Sequence, residues 1–386
     1  MTPGVLINAS TLAMGGAVQI GLSLCQYAVR HPPQGLKLTY AVSSALAAAL
    51  PDEVREVLRP LVVAVPPSRV WAGRHSRRQL RELERASGAD LVYSVGFPSY
   101  VRFARPEVGR YTNPWEMLPN PLAWATVPPR RRPFLIARTT YRRAWAKRAT
   151  WFETQTDAGL DGIVRHLGVA ADRIAVFPNS ANPIFQPAGD PPADSSGRRD
   201  VLCLAAAHPH KNLGMVVRVA QVLAAEPEGA RYRFVLTLPP DHDIWRRVEA
   251  DARAAGVSDA IVNVGPLSLD GCVDAYRRAH AVFQPTLLEV FSATYVEAMA
   301  MERPIVTSDL PFARSICGEA ARYHDPLSPE QAAAAIRRVC EDAAVRTALI
   351  AAGRVRRVEF PSSDDKHRQL FDWLRTLAER EAAQHR

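Results

Sequence analysis

Short apolar runs alternate with longer helical stretches along almost the whole chain of 386 residues. Gly4–Ile7, Lys37–Val42 and Leu91–Val95 have the length and composition of buried strands, whereas Ala17–Arg30 has the length of a helix. Strands that alternate with helices are typical of a parallel sheet with helical crossover connections. Further strands are predicted at Leu61–Val65, Val108–Tyr111, Ile174–Phe177, Val201–Ala205, Tyr232–Leu236, Ala260–Val264, Ala281–Phe283 and Ile305–Thr307.

A segment of prolines, glycines, serines and charged residues, 183–200, interrupts this alternation. Such a composition does not build a regular element, so the segment is predicted to be a linker. Residues 1–182 precede it, residues 201–360 repeat the strand–helix pattern, and 361–386 form a terminal helix that could pack back on the N-terminal domain. The expected fold is α/β, with two Rossmann-like domains that face a central cleft suited to a nucleotide-containing ligand.

Positive charge is concentrated in the first half of the chain. The net charge is +9, and residues 1–180 hold 23 Lys and Arg against 12 Asp and Glu. The densest block, Arg130–Arg148, has eight basic residues and no acid, with tryptophans around it. Such a block suits an anionic membrane surface. A solvated arginine-rich helix and a nucleic-acid partner are alternatives; the membrane surface is favoured and nucleic acid disfavoured.

Two observations indicate where the protein works. No apolar run reaches the roughly 20 residues that a membrane-spanning helix requires. The five cysteines are scattered and form no Cys-x-x-Cys pair, which favours a reducing compartment. A cytoplasmic protein is expected, with association to the inner face of the cell membrane as an option.

Two glutamates, Glu289 and Glu297, follow the predicted strand Ala281–Phe283. Glu289 falls in the loop that leaves the strand, and Glu297 is expected about two turns into the next helix. The carboxyl ends of parallel strands border the ligand crevice of an open α/β sheet. A helix N-terminus at that place offers free N–H groups to a phosphate.

The stretch from Gln284 to Asp309 resembles the donor-site signature of the retaining GT-B glycosyltransferases of family four. The residues that match in register are Pro285, Glu289, Phe291, Glu297, Ala298, Met299, Ala300, Pro304, Val306, Ser308 and Asp309. Val290 and Ser292 stand where the family has glycine. Two further stretches, 173–185 and 263–279, are similar to other segments of the family, and the first 170 residues match only in layout.

The resemblance implies a donor site for a UDP- or GDP-sugar. Its predicted catalytic residues are Lys211, in a basic phosphate-binding motif, and Glu289, which would bind the sugar hydroxyls. Glu297 would accept hydrogen bonds from the ribose. The other donor-binding candidates are Gly15, Gly16, His208, His210, Gly265, Pro266, Leu267, Val290, Phe291 and Ser292.

Several of these residues have other interpretations. His208 and His210 could supply part of the charge of an arginine that the motif usually carries, or could bind a metal, which is disfavoured because no third ligand is near. The Met14–Ala17 loop is either a backbone contact to the donor or an ordinary turn. Asn113, Trp115 and Glu116 are acceptor-side candidates, with Glu116 either a base or part of a surface turn.

The predicted activity is a retaining transfer of a hexose from a nucleotide sugar to a glycan or lipid-linked acceptor, in surface polysaccharide synthesis. No cofactor and no metal are expected. The alternatives are a non-catalytic relative that binds sugar nucleotides or glycans, and an epimerase or hydrolase of sugar nucleotides.

Overall fold

The first half of the chain forms a parallel sheet with the strand order β3-β2-β1-β4-β5-β6-β7. The computed structural model describes residues 2–13, 15–189, 197–226 and 229–384. Every residue of β1 is buried, because helices cover both faces of the sheet. The strands are β1 (Gly4–Ala9), β2 (Lys37–Ser43), β3 (Leu61–Val63), β4 (Leu91–Ser94), β5 (Glu107–Arg110), β6 (Trp151–Thr154) and β7 (Ile174–Val176).

The helices of this half connect the strands in sequence. They are α1 (Gly15–Arg30), α2 (Ser44–Ala49), α3 (Asp52–Leu58), α4 (Arg74–Ser87), α5 (Pro114–Met117), α6 (Pro121–Ala125), α7 (Arg132–Ala146) and α8 (Asp157–Leu167). The order of the strands reverses direction between β1 and β4. Ligands of open α/β sheets bind at the carboxyl ends of the strands beside such a reversal.

The second half forms another parallel sheet, in the order β10-β9-β8-β11-β12-β13. Its strands are β8 (Arg199–Cys203), β9 (Tyr232–Leu236), β10 (Ile261–Asn263), β11 (Ala281–Gln284), β12 (Ile305–Ser308) and β13 (Ala321–His324). Its helices are α9 (Gly214–Ala224), α10 (Asp243–Ala254), α11 (Leu269–Arg278), α12 (Ala293–Ala300), α13 (Pro311–Cys317), α14 (Pro329–Glu341) and α15 (Ala343–Arg357), and α16 (Ser363–Gln384) ends the chain. The reversal here lies between β8 and β11.

Contacts divide the chain into two compact units. Unit 1 contains Met1–Met117, Phe134–Pro178 and Ser363–Arg386, and unit 2 contains Leu118–Pro133 and Asn179–Ser362. In unit 1, Leu370 and Leu374 of α16 pack into the same core as β1, β2 and β4. The short stretch 118–133 groups with the second sheet, although it precedes β6 in the chain. Residues 190–196 of the predicted linker lie outside the described residues.

The predicted α/β architecture of two Rossmann-like sheets is confirmed, with differences in single elements. Two strands, β6 and β13, were not predicted, and neither were the helices α2, α3, α5, α6, α8, α13 and α15. Strand β6 was missed because Glu153 lies within it, and a charged residue is unusual inside a buried strand. Helix α12 begins at Ala293, so Glu297 lies about one turn into it and not two.

Candidate active site

The loop 285–292 leaves the carboxyl end of β11 and is buried along its whole length. Its backbone is joined to the loop that follows β8, because the N–H of Leu287 donates to the carbonyl of His210 over 2.8 Å. The hydroxyl of Thr286 lies 3.3 Å from the same carbonyl. These contacts bring together the loops that leave the two strands beside the reversal of the sheet.

Lys211 and Glu289 meet in this place as an ion pair. The Nζ of Lys211 donates to Oε1 of Glu289, and the Thr286 hydroxyl donates to the same oxygen over 3.2 Å. The two charged side chains are 13% and 12% exposed, so both can be reached by a ligand. An ammonium group carries three donors. Lys211 can therefore contact a second anion, such as a phosphate, while it keeps Glu289 in position.

His208 and His210 differ in their surroundings, although their rings stack 5.3 Å apart. His208 is exposed and His210 is buried. Burial, together with the charge of the neighbouring Lys211, lowers the pKa of His210 to about 3. The imidazole of His210 is therefore neutral at physiological pH and cannot replace the positive charge of an arginine. Either histidine was predicted to supply part of that charge, and this is corrected: only His208 remains a candidate.

Glu297 projects from the first turn and a half of α12 towards α11. Its Oε2 accepts a hydrogen bond of 2.9 Å from the hydroxyl of the buried Tyr276. Burial raises the pKa of Glu297, and the bond from Tyr276 opposes that shift. The carboxyl has a second oxygen with capacity to accept from a ligand hydroxyl.

The other donor-site candidates fall into two groups. Gly265 has φ 77°, and a Cβ there would meet nothing within 4 Å, so the backbone of this turn is open to a ligand. Pro266 beside it is exposed and Leu267 is half-buried. By contrast, Val290 is 2% exposed, and the ring of Phe291 packs against Phe360 in the core. The side chain of Phe291 is thus a core residue rather than a ligand contact.

Ser292 occupies the N-cap position of α12 without a side-chain capping bond. The Ser292 side chain is buried, at 4% exposure. An N-cap residue normally satisfies one of the free N–H groups of the first turn. The N–H of Tyr295 donates to the backbone carbonyl of Ser292 over 3.2 Å, and the place of the missing side-chain cap is left to a ligand.

One residue beside the site has no signal in the sequence. Asn120 caps α6, where its Oδ1 accepts from the N–H of Leu122 over 2.8 Å. Its Nδ2 donates to the carbonyl of Leu287 over 2.9 Å, only two residues before Glu289. Asn120 thus tethers α6 to the loop that carries Glu289. It was missed because it precedes that loop by 167 residues.

The predicted site residues of unit 1 differ in their exposure. Gly15 and Gly16 begin α1, and a Cβ at either would meet nothing within 4 Å, so this helix start is open; Met14 lies outside the described residues. Asn113 is half-buried, and its Oδ1 accepts from the N–H of Trp115.

Glu116 is neither a surface residue nor an accessible base. It is fully buried, at 0% exposure. It pairs with Arg142 and accepts from the hydroxyl of Tyr111 over 2.5 Å. Trp115 is also buried, at 8% exposure. Glu116 is therefore held by two internal donors and closed to solvent, and it stabilises the unit. The predictions that Glu116 is a base or part of a surface turn are both corrected.

Residues 198–342 match the family model of the glycosyl transferases group 1. This span contains β8 to α14, and with them the Lys211–Glu289 pair and Glu297. In this span the chain is similar to the glycosyl transferases group 1. No curated protein matches its sequence.

Several solved structures share the fold of this chain at low identity. A glycosyltransferase from Rickettsia africae ESF-5 has 12% identity and a TM-score of 0.72, with 98% of each chain covered. Anabaena HepE, in complex with UDP and glucose, has 13% identity and a TM-score of 0.69, with 97% of this chain and 100% of HepE covered. WaaG, a glycosyltransferase involved in lipopolysaccharide biosynthesis, has 14% identity and a TM-score of 0.70, with 96% and 98% covered. The predicted GT-B fold is confirmed.

Two searches of the described residues give negative results. Across residues 2–13, 15–189, 197–226 and 229–384, no group of three or more His, Cys, Asp or Glu side chains is arranged to hold a metal ion. Within the same ranges, no helix has both the length and the apolar character needed to cross a membrane.

Proposed function

We propose that this protein is a glycosyltransferase that moves a hexose from a nucleotide-sugar donor to a glycan or lipid-linked acceptor, with retention of the anomeric configuration. The observation that carries the proposal is the Lys211–Glu289 pair at the carboxyl end of β11 beside the open N-terminus of α12. Lys211 and the free N–H groups of α12 would hold the diphosphate as negative charge develops on it. Glu289 would bind hydroxyls of the transferred sugar.

The remaining donor contacts follow from the same arrangement. Glu297 would accept hydrogen bonds from the ribose, because one carboxylate oxygen is bound by Tyr276 and the other has capacity for a ligand. The open turn Gly265–Leu267 would border the base. A UDP-sugar is the donor we favour, since HepE, with the same fold, binds UDP and glucose. The leaving phosphate would take the acceptor proton, which requires no separate protein base.

Nucleotide release tests this proposal directly. We expect the wild-type protein to be stabilised against heat by UDP or GDP sugars, because a ligand that binds the folded state shifts unfolding in proportion to its affinity. Lys211→Ala and Glu297→Ala should each lower kcat/KM by about 10²-fold or more, as does the loss of one preorganised oxyanion contact. Glu249→Ala, an exposed position on α10 of the same unit, is the matched control. Wild-type rates in both active-site variants would refute the assignment.

The anomeric proton of the product distinguishes retention from inversion. A product with the configuration of the donor supports the proposal, and an inverted product contradicts it. Release of free sugar or formation of an epimer without any acceptor would instead show a hydrolase or epimerase. Binding of the donor without turnover on any acceptor would show a binding protein.

We also propose a role in surface polysaccharide synthesis at the inner face of the cell membrane, for which WaaG offers an analogy. Within Phe134–Arg148, Phe134 and Ile136 are exposed by 69% and 54% and accompany the exposed basic residues Arg138, Lys147 and Arg148. Arg142 and Arg143 of this block donate instead to Glu116 and are only half-exposed. Aromatic, aliphatic and basic side chains together suit an anionic bilayer.

Sedimentation with vesicles measures this membrane association. Binding should be stronger to anionic than to zwitterionic vesicles and should weaken with salt. Phe134→Ala should reduce it, whereas Val355→Ala, an exposed apolar position at 71% on α15, should not. Equal binding to both vesicle types would contradict the proposal.

A further inference from the structure

Unit 1 contains a pocket of about 320 Å³ that none of the predicted donor-site residues lines. It lies where β1, β4 and β5 end, at the carboxyl side of the first sheet. Six polar or charged residues contribute to its wall: Thr11, Ser68, Tyr100, Arg110, Thr112 and Arg142. In a parallel sheet this edge, beside the strand reversal, is where ligands bind.

Arg142 presents unused donors to this pocket. Its Nε donates to Glu116, one terminal nitrogen lies 3.3 Å from the Tyr100 hydroxyl, and the other lies 3.2 Å from the carbonyl of Phe97. A guanidinium has five N–H donors. These three bonds to described residues leave two donors for a ligand, and the side chain is 22% exposed.

Arg110 adds a second positive charge to the same wall. It pairs with Glu153 of β6 over 3.2 Å, and its side chain is 6% exposed. Glu116 and Glu153, which balance the two arginines, are both fully buried and do not line the pocket. The pocket wall thus carries two cations and no anion, whereas the carboxylates that orient the guanidinium groups lie behind them.

Hydroxyl groups complete the lining. The Tyr100 hydroxyl accepts from Arg142, so its own proton is directed elsewhere and can be donated to a ligand. Thr11 donates to the carbonyl of Gly96 over 2.5 Å, which leaves its oxygen as an acceptor. Thr112 and Ser68 supply two more hydroxyls. Guanidinium groups and hydroxyls on one wall match the several oxygens of a phosphate.

We propose that this pocket binds a phosphate group of the acceptor, with Arg142 and Tyr100 as its principal contacts. The inference rests on the proposed glycosyl transfer and narrows its acceptor to a phosphorylated sugar. Two cations favour a doubly charged phosphate over a singly charged carboxylate. A volume of about 320 Å³ is at the small end for ligand pockets, so it suits one phosphorylated sugar unit rather than an oligosaccharide.

Direct binding of inorganic phosphate and of a hexose 6-phosphate to the full chain tests the proposal. Titration calorimetry should show saturable binding that Arg142→Lys weakens about tenfold or more, because the lysine keeps the charge near Glu116 but loses the paired donors. Tyr100→Phe should weaken binding severalfold, since it removes a single hydroxyl. Arg165→Gln, an exposed arginine on α8 of the same unit, is the matched control and should leave binding unchanged.

The predicted donor site is a second place where phosphate could bind, and Lys211→Ala separates the two. Binding that Lys211→Ala abolishes and Arg142→Lys preserves would overturn the proposal, as would the absence of saturable binding in the wild type. Thermal unfolding of each variant checks that it is folded. If Arg142→Lys does not fold, Tyr100→Phe and Thr112→Val together provide the test, because neither removes a charge. Unchanged affinity in that double variant would overturn the proposal.

Turnover with two acceptor sources identifies where the phosphate comes from. One arm uses a soluble hexose phosphate, and the other uses phosphatidylcholine vesicles that carry a polyprenyl-phosphate-linked sugar. Arg142→Lys should lower kcat/KM about tenfold for whichever phosphorylated acceptor is used, whereas the control Arg165→Gln should leave kcat/KM unchanged. Equal transfer to the unphosphorylated sugar would overturn the pocket assignment, although glycosyl transfer would stand. No donor turnover in any arm would reject the proposed function, and phosphate binding would still be measurable.

Discussion

Each unit buries carboxylates beside cations, but the two units do so differently. In unit 2, Glu289 pairs with Lys211, and the side chains keep 12% and 13% of their surface exposed. In unit 1, Glu116 and Glu153 are fully buried and pair with Arg142 and Arg110. A partly exposed pair can accept a ligand as an additional partner. In unit 1 the carboxylates are closed to solvent, and only Arg142 of the four residues is exposed to a similar degree, at 22%. Loss of one member leaves its buried or half-buried partner uncompensated.

The comparison shows that ion pairs of similar chemistry have different surroundings in one chain. Both members of the Lys211–Glu289 pair are partly exposed, as the proposed role in donor binding requires. In unit 1 the carboxylates face inward and fix the direction of arginines, which alone reach the pocket. The flat guanidinium suits this indirect role because it can bind a carboxylate on one edge and a ligand on another.

The largest expected effect is the loss of stability in Glu116→Gln. Removal of this fully buried carboxylate leaves the half-buried Arg142 beside a neutral amide, and breaking a buried pair costs about 3–5 kcal/mol. Urea unfolding followed by circular dichroism measures the loss. Glu82→Gln breaks an exposed pair with Arg78 and should change the free energy of unfolding by less than about 1 kcal/mol. Equal losses in the two variants would contradict the assigned role of Glu116.

Glu289→Gln should show the opposite pattern. Its activity should fall about 10²-fold, because the amide no longer orients Lys211 or carries charge at the sugar. Its free energy of unfolding should change by less than that of Glu116→Gln, since the pair is partly open to solvent. Steady-state kinetics and urea unfolding of both variants give the comparison. A Glu289→Gln protein that is less stable than Glu116→Gln would remove the distinction between the units.

Lys366 of α16 is a buried lysine in unit 1, and its effect on the free energy of unfolding is expected to depend on pH. Burial lowers its pKa from 10.5 to about 7, and Arg110 adds to the shift. The unfolded chain therefore binds more protons between pH 7 and 10.5, and this lysine makes stability rise with pH across that window. Below pH 7 the full free-energy cost of burying the charged lysine is present. Lys366→Met should raise stability at pH 6 by on the order of 1–3 kcal/mol.

The pH dependence of unfolding checks this expectation. The difference between wild type and Lys366→Met should shrink as pH rises from 7 to 10. Lys147→Met, at an exposed position in the same unit, should give a constant difference near zero. A Lys366→Met protein less stable than wild type at pH 6 would show that the charged lysine has stabilising partners that outweigh its burial.

The smallest expected effect belongs to Asn120, which supports the donor site from α6. Asn120→Asp keeps the oxygen that caps α6 but loses the Nδ2 donor to Leu287. Its kcat/KM should fall severalfold, with a stability change of about 1 kcal/mol. Asn120→Ala also loses the cap of α6, which should lower the free energy of unfolding by about 1 kcal/mol more. Ser328→Ala removes the cap of α14 and should leave kcat/KM unchanged. Identical kinetics in Asn120→Asp and wild type would exclude a positioning role.

The fold was predictable wherever strands are apolar and uninterrupted. The predicted strands Ala281–Phe283 and Ile305–Thr307 each differ from the observed β11 and β12 by one residue. Strand β6 was not found because Glu153 interrupts its apolar pattern, and only the partners Tyr93 and Arg110 explain why a carboxylate is tolerated there. Those partners lie 60 and 43 residues away, beyond the reach of any local pattern.

Two of the predicted site residues lie in contact in the structure. Lys211 and Glu289 were chosen from separate motifs 78 residues apart, and the structure brings them into contact because their loops leave adjacent parallel strands. The arginine block 130–148 was interpreted as one surface, yet Arg142 and Arg143 turn inward to Glu116. Helical spacing alone could not reveal this, since the partner belongs to another helix.

The sequence by itself determined the α/β alternation and the two loops that form the predicted donor site, because both are encoded in contiguous residues. Only the tertiary structure decided which charged groups face a ligand and which are closed inside. It tied Asn120 to the Glu289 loop, neutralised His210 by burial, and placed Arg142 between Glu116 and a pocket. The physical reason is that the state of a charge depends on its solvent exposure and its partners, and those partners are distant in the chain.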